Sequence, residues 1–268
     1  MKISCIIPTR NRCSMVLKAI ESIRRQHYSD LEIIVVDDGS KDNTQAEINS
    51  LFPEVQLVAL DGIGPGPARN AGVNASTGNV LMFLDSDDIW LENHVRQLMD
   101  TLGRGYQVAY GTTKTIDEVG KQNFIVPDEG AGLEGDCFEQ LIRWCSMFPS
   151  SLAVSRKAFM AVNGFENVTY GEDWTFFLKL SAQFPFGFAG PHPITLRKLH
   201  EGSFCFLSDK KKLLGIINQV YTFLKKESKA TKAHLDHFTM LHDWTDANMD
   251  QWSTVQDWYL EMVKEKII

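Results

Sequence analysis

The sequence predicts an α/β protein: a mainly parallel sheet with helices on both faces, followed by a helical C-terminal appendage. Three observations carry this. Short apolar, β-branched-rich runs of strand length recur through the first hundred residues. Segments of helical period separate them, and strands alternating with helices favour a parallel sheet buried on both sides. From about residue 206 the pattern becomes helical, with Lys211, Lys212, Lys225 and Lys226, then Trp244, Trp252 and Trp258.

The strand runs are "ISCII" (3–7), "LEIIVV" (31–36), "VQLVAL" (55–60) and "VLMFL" (80–84). The first intervening helix, "SMVLKAIESIRRQ", repeats Val16, Ile20 and Ile23 on one side. In the second, Asp42 is a helix cap with Gln45 three residues on. "PARNAGVNAS" (67–76) and "LENHVRQLMDTL" (91–102) read as further helices. Beyond residue 103, "VAYGTTKTI" reads as a strand and the Gly-rich "PDEGAGLEGD" as a mobile loop. "GDCFEQLIRWC" resumes a helix, and "SSLAVSRKAFMAVNGF" reads as strand, short helix and turn. "EDWTFFLKLSAQF" (172–184) is an amphipathic helix that opens on two acids.

Composition narrows the function. The 268 residues carry a formal charge of −7, 44% hydrophobic and 23% charged residues, which suits a globular protein and disfavours a nucleic-acid partner. Five scattered cysteines, Cys5, Cys13, Cys137, Cys145 and Cys205, form no C-x-x-C pair, which favours reduced thiols in a cytosolic protein over disulfides or zinc. The apolar start is too short for a signal peptide, and no stretch approaches the roughly 20 apolar residues of a membrane span. The N-glycosylation patterns "NAS" at Asn74 and "NVT" at Asn167 are therefore read as chance.

Several short stretches could carry chemistry. In "LMFLDSDDIW", Asp85 and Asp87 are two apart, so in an extended segment they share a side and form a hard-oxygen site for Mg²⁺ or Mn²⁺. A solvated acidic turn, or Asp88 capping the next helix, accounts for the same residues. The Asp37–Asp38 pair of "VVDDGSKDNT" could accept from a base or ribose, or serve turn geometry alone. "GIGPGPARNAG" offers backbone amides and Arg69 to a diphosphate, or is a rigid loop with a surface arginine. Glu172 and Asp173 of "YGEDW" could supply a general base, or cap a helix. His200 is either an ordinary histidine or a metal ligand.

In order and spacing, "CIIPTRNR", "VVDDGSKDNT", "GPGPARNAGVNASTGNVLMFLDSDD", "VNGF" and "GEDW" resemble the family 2 glycosyltransferases of the GT-A fold. The resemblance implies a Rossmann-like, nucleotide-binding GT-A domain over 1–205, with 1–102 as the donor half and 103–205 as the acceptor half. Residues 206–268 remain as the appendage. It implies that Pro8, Thr9 and Arg10 line the nucleotide pocket, that Asp38 accepts from the base with Asp37 supporting its loop, and that Arg69 sits near the diphosphate. It implies that Asp85 contacts the ribose, that Asp87 ligates a divalent cation with Asp88 close by, and that His200 reaches the same metal or the diphosphate. Asp173 would be the catalytic base, with Glu172 orienting the acceptor.

Two positions depart from the family pattern: Leu196-Arg197 stands where Tyr-Arg is common, and Arg12 where many members carry an acid. The Q-x-x-R-W pattern of processive synthases occurs once, as Gln140-Leu141-Ile142-Arg143-Trp144, but before the Glu172-Asp173 element rather than after it, where those enzymes carry it. The resemblance thus implies an inverting transferase that uses Mn²⁺ or Mg²⁺ and a nucleoside-diphosphate sugar, a UDP-sugar first, in cell-surface polysaccharide or glycoconjugate synthesis. Its acceptor would be a carbohydrate or lipid-linked sugar, its site the cytoplasm or the inner membrane face. Two rivals are a sugar-nucleotide pyrophosphorylase, which needs a glycine-rich loop that "PTRNR" lacks, and a non-catalytic binding protein. For the C-terminal helices, amphipathicity favours an ordinary packing core over contact with a membrane or a second subunit.

Overall fold

The computed structural model describes residues 1–117, 123–128, 130–200, 203, 211–252, 255–265 and 267. In chain order the donor-side elements are β1 (Ile3–Thr9), α1 (Cys13–Arg24), β2 (Leu31–Asp37), α2 (Thr44–Leu51), β3 (Gln56–Ala59), α3 (Pro65–Ala75), β4 (Val80–Phe83), β5 (Ile89–Trp90) and α4 (His94–Gly103). There follow β6 (Val108–Asp117), β7 (Asn123–Val126), α5 (Phe138–Arg143), β8 (Leu152–Ser155), α6 (Arg156–Ala161), α7 (Glu172–Gln183) and β9 (Phe186–Leu199). Three helices close the chain: α8 (Lys211–Leu224), α9 (Lys232–Asn248) and α10 (Val255–Lys264).

One sheet runs β3-β2-β1-β4-β8-β6-β9-β5, with β7 on β6. Among the described strands, six share one direction, and β5, β7 and β8 oppose them. The mostly parallel sheet expected from the alternating pattern is therefore present. Its two faces are read off β1 with a period of two. Ile3, Cys5 and Ile7 pack with Val16, Ile20 and Ile23 of α1, Ile48 of α2 and Leu98 of α4. Ile6 points the other way, into a cluster with Val73 of α3, Phe159 of α6 and Phe176 of α7.

The helix α3 lies so close to the sheet that a Cβ on Gly72 would come within 2.4 Å of Ile6 Cγ2 and 3.0 Å of Val36 Cγ2. Only a glycine permits that approach without displacement.

Two local expectations are revised, and one strand appears that the sequence does not announce. Gln45 does not fold back to cap α2; its amide donates to Asp37 Oδ2 at 2.5 Å, while Asp42 Oδ1 accepts from the Thr44 amide and hydroxyl. The Gly-rich loop does not hang free, because Gly135 and Phe186 exchange backbone hydrogen bonds of 2.8 Å. The 14-residue strand β9 has no periodic signature, since its glycines and prolines conceal it.

The C-terminal helices share one hydrophobic cluster with α5 and α7: Leu213 and Ile217 of α8, Phe238 and Leu241 of α9, and Trp258 and Met262 of α10 join Trp174 and Phe177. Trp252 and Trp258 are buried, and Trp258 Nε1 donates to Thr245 Oγ1, so the packing-core reading holds for them. Lys211, Lys225 and Lys226 are exposed, and Lys212 is half-buried. Cys205 and the expected boundary at 205/206 lie outside the described residues. No described helix is long and apolar enough to cross a membrane.

Candidate active site

The parallel strands β1, β2 and β4 all point their carboxyl ends at one cavity of about 380 Å³, the edge at which α/β sheets bind ligands. Pro8, Thr9, Arg10, Asp38, Arg69, Asp85, Asp87, Asp88, Glu172 and Asp173 line it. His200 reaches its edge through Asp87, and Asp37 lies outside its wall. Asp37 is fully buried beneath the loop, with Oδ1 accepting from the Ser40 amide and Oδ2 from Gln45. Its contacts hold the turn that presents Asp38.

Asp38 grips the next loop. Its two carboxylate oxygens accept from the amides of Ile63 and Gly64 at 2.7 and 2.8 Å. Those amides, expected to approach a phosphate, are committed to Asp38, although a carboxylate keeps further lone pairs for a ligand. Behind them Gly64 adopts φ +93°, and Pro65 opens α3. Thr9 Oγ1 and Arg69 Nε are buried without a hydrogen-bond partner. Such orphaned donors in a cavity wall are what a polar ligand satisfies.

Arg69 is the hinge of the site's charges. It is 4% exposed, and donates through Nη2 to Asp85 Oδ1 at 2.6 Å and through Nη1 to Glu172 Oε1 at 3.1 Å. Its guanidinium also lies over the Phe165 ring, 5.1 Å from the centroid. Burial works against its charge, but Asp85 and Glu172 outweigh that and raise its pKa further. A surface arginine, one of the sequence readings, is excluded.

The acidic segment after β4 is a turn, closed by the Asp88 amide donating to Asp85 O at 2.9 Å. The same-side argument from an extended strand therefore fails, although both Asp85 and Asp87 reach the cavity. Asp85 turns to Arg69, whereas Asp87 Oδ2 meets Arg12 Nη1 at 2.8 Å and His200 Nε2 at 3.2 Å. Nor does Asp88 cap a helix, because β5 follows it. Asp88 is buried and accepts from Ser150 Oγ at 2.6 Å, and that hydroxyl in turn accepts from the Asp85 amide. Burial, with the charges of Asp87 and Asp85, raises the Asp88 pKa.

Glu172 and Asp173 stand in the first turn of α7, after Gly171 at φ +74°. Burial, then the charge of Asp173, pushes Glu172 up to about 7 against the pull of Arg69. Burial likewise raises Asp173, opposed by the Trp174 amide that donates to its Oδ1 at 2.7 Å. A half-buried carboxylate with one oxygen engaged and a raised affinity for protons is equipped as a general base.

The charges of Arg12, Arg197 and Lys198 also line the cavity. Arg197 lies over Phe148, 4.5 Å from the ring centroid. Lys198 and Ser150 carry no signal in the sequence, and Arg197 stands out there only as part of the Leu196-Arg197 departure.

A divalent cation is tested by the donors present. Asp87 and His200 bring a carboxylate oxygen and an imidazole nitrogen together, a pair that suits Mn²⁺. Among the described residues no group of three His, Cys, Asp or Glu is arranged to hold a metal by itself. That fits a cation bound through few protein ligands and substrate phosphates.

Comparison with known proteins joins the geometry to a family. The model for Glycosyl transferase family 2 matches residues 4–159. A beta-1,3-glucosyltransferase of Campylobacter jejuni, named for a GalNAc(5)-diNAcBac-PP-undecaprenol acceptor, is 30% identical over 186 residues, 67% of this chain and 59% of its own. S. aureus TarS 1–349, solved with UDP-GlcNAc, superposes with a TM-score of 0.67 at 18% identity, covering 90% of this chain and 71% of that one. The Pyrobaculum calidifontis mannosyltransferase PcManGT, solved with GDP-Man and Mn²⁺, gives 0.64 at 15% identity over 98% of this chain and 79% of its own. These two likenesses bear on the fold, which is GT-A. The chain spans 31% to 53% of the length of the curated relatives that it matches first. With that family match across more than half its length, the chain belongs to glycosyl transferase family 2.

Proposed function

We propose that this chain transfers a sugar from a nucleoside-diphosphate sugar, a UDP-sugar first, to an acceptor hydroxyl with inversion at the anomeric carbon. The observation that carries the reading is the meeting of Asp173, Asp87 and the Asp85–Arg69–Glu172 bridge in one cavity. Asp173 takes the proton of the acceptor hydroxyl as it attacks the anomeric carbon from the face opposite the diphosphate. Arg69 fixes Asp85 for the ribose and Glu172 for the acceptor. Asp38 and Thr9 face the nucleoside, and Arg10 and Pro8 complete that wall. Asp87, with His200 and Asp88 beside it, would hold Mn²⁺ or Mg²⁺, which when bound supplies positive charge to the leaving diphosphate.

Residues 1–102 serve as the donor half and 103–205 as the acceptor half, with 206–268 appended. Family membership displaces the pyrophosphorylase reading. The relatives' names favour a lipid-linked or saccharide acceptor, and the reaction is placed in the cytoplasm or at the inner face of a membrane.

The test is a screen of UDP-, GDP- and dTDP-sugars with Mn²⁺ for nucleoside-diphosphate release and for thermal stabilisation. In Asp173→Asn, transfer is expected to fall by about 10²–10⁴-fold while the nucleotide-induced stabilisation survives. Unimpaired turnover in that variant removes Asp173 from the role.

A further inference from the structure

The oxygen assigned to a divalent cation already holds a cation of the protein's own. Arg12, in the loop between β1 and α1, places Nη1 2.8 Å from Asp87 Oδ2, and His200 Nε2 stands 3.2 Å from that same oxygen. The Arg12 side chain is 28% exposed and that of Asp87 13%, so the pair sits at the cavity wall, where solvent screens it only in part. A guanidinium and a divalent cation cannot share one carboxylate oxygen without strong repulsion. One must leave.

We propose that Arg12 is a placeholder that competes with the divalent cation for Asp87 and yields when a diphosphate arrives to offer the guanidinium other oxygens. The proposal rests on the reading of Asp87 as a cation ligand. It makes the site reluctant to take up metal alone: the cation and the nucleoside diphosphate bind together, each raising the other's affinity through Arg12. Arginine is suited to such an exchange, because its planar fork pairs equally well with a carboxylate and with phosphate oxygens. A net charge of −7 would otherwise invite adventitious cations into this acidic pocket, and a resident guanidinium keeps them out.

The experiment titrates Mn²⁺ into the protein and reads free Mn²⁺ by electron paramagnetic resonance, with and without saturating UDP. Arg12→Gln is expected to bind Mn²⁺ alone about tenfold more tightly than wild type, and the gap should narrow to a few-fold at most once UDP is present. Arg12→Lys, which keeps the charge, should stay close to wild type. Arg12→Ala reads the same quantity should the glutamine variant not fold, as judged by thermal melting. The control is Asp87→Asn, expected to lose Mn²⁺ binding in both conditions. If Asp87→Asn loses the metal but neither Arg12 variant gains any, the placeholder is overturned and the cation site stands. If Asp87→Asn binds Mn²⁺ as wild type does, the cation site itself is overturned, and the placeholder with it.

Discussion

Arg69 neutralises two carboxylates that share its pocket, and its removal would strand both. A buried pair broken on one side costs about 3–5 kcal/mol, because the surviving charge loses its partner and gains no water. Arg69→Met is therefore expected to lower the urea-unfolding free energy by about that amount. Arg69→Lys should recover only part, since a point charge on a flexible stem cannot span Asp85 and Glu172 as the fork does. Equal unfolding midpoints for Arg69→Met and wild type would show that the bridge does not hold the site together. At this scale Asp38, Asp85, Asp87 and Asp173 are legible only through the order of the motifs around them, because each alone suits a turn or a helix start equally well. Their partners are not legible. Arg12 meets Asp87 and Ser150 meets Asp88 across 75 and 62 positions of sequence, and no local pattern reports a pairing made only by the sheet's closure.

Among the elements, α8 reaches the site without touching it. A Cβ on Gly215 would lie 2.5 Å from Tyr170 Cδ2, and one on Gly171 would lie 3.5 Å from Ile216 Cα. Helix α8 thus braces the two residues that lead into Glu172 and Asp173. Alanine in mid-helix is intrinsically better than glycine by about 1 kcal/mol, so Gly215→Ala sets helix propensity against this contact. The aromatic ring must move, and the backbone of Tyr170 and Gly171 with it. Turnover should fall by about tenfold or more, since misplacement by 1 Å costs on the order of 10²-fold, while UDP-induced stabilisation persists. Wild-type turnover in a folded Gly215→Ala would show that α8 does not position the carboxylates. The same scale explains what the sequence hid. The strands β1, β2 and β4 announce themselves as unbroken apolar runs because both their faces are buried, and the helices between them because each buries one face. Strand β9 carries Gly187, Gly190, Pro191 and Pro193, and its pairing with β6 shifts register around Thr112 to accommodate them. Pairing with both β6 and β5, together with the Thr112 hydroxyl on Gly190 O, makes it a strand, and none of that is local.

For the whole molecule, two glutamates, Glu32 half-buried and Glu172 buried, set opposite limits on pH. Glu32 joins the starts of β1, β2 and β4, where it binds Lys2 at 2.6 Å and accepts from Ser4 and the Thr77 amide. Burial opposes its charge, but Lys2, Ser4 and Thr77 prevail and bring it down to about 2. A depressed carboxylate contributes stability above its unfolded pKa of about 4.5 and loses it as pH falls through about 2. Glu172 behaves in reverse. Raised to about 7, it holds its proton in the folded state where the unfolded chain has released it, so its contribution is full below about 4.5 and is lost as pH rises to about 7. The Glu172 shift corresponds to about 3 kcal/mol, and that of Glu32, which solvent screens, to a fraction of it. Self-repulsion of a chain with net charge −7 and a pI near 5.5 adds to the loss on the alkaline side. Stability should therefore peak near pH 5, which urea midpoints measured from pH 3 to 8 would reveal. Glu172→Gln should flatten the decline towards pH 8, and Glu32→Gln the decline towards pH 3. A wild-type maximum at pH 7.5 or above would mean that the folded site accepts the charge of Glu172 without penalty. On the proposed role of Asp173, transfer runs the other way, because that carboxylate must be ionised to take a proton, and burial raises its pKa too. The charges that make the site reactive are those that the fold holds least willingly, so activity should rise with pH across the range in which stability falls.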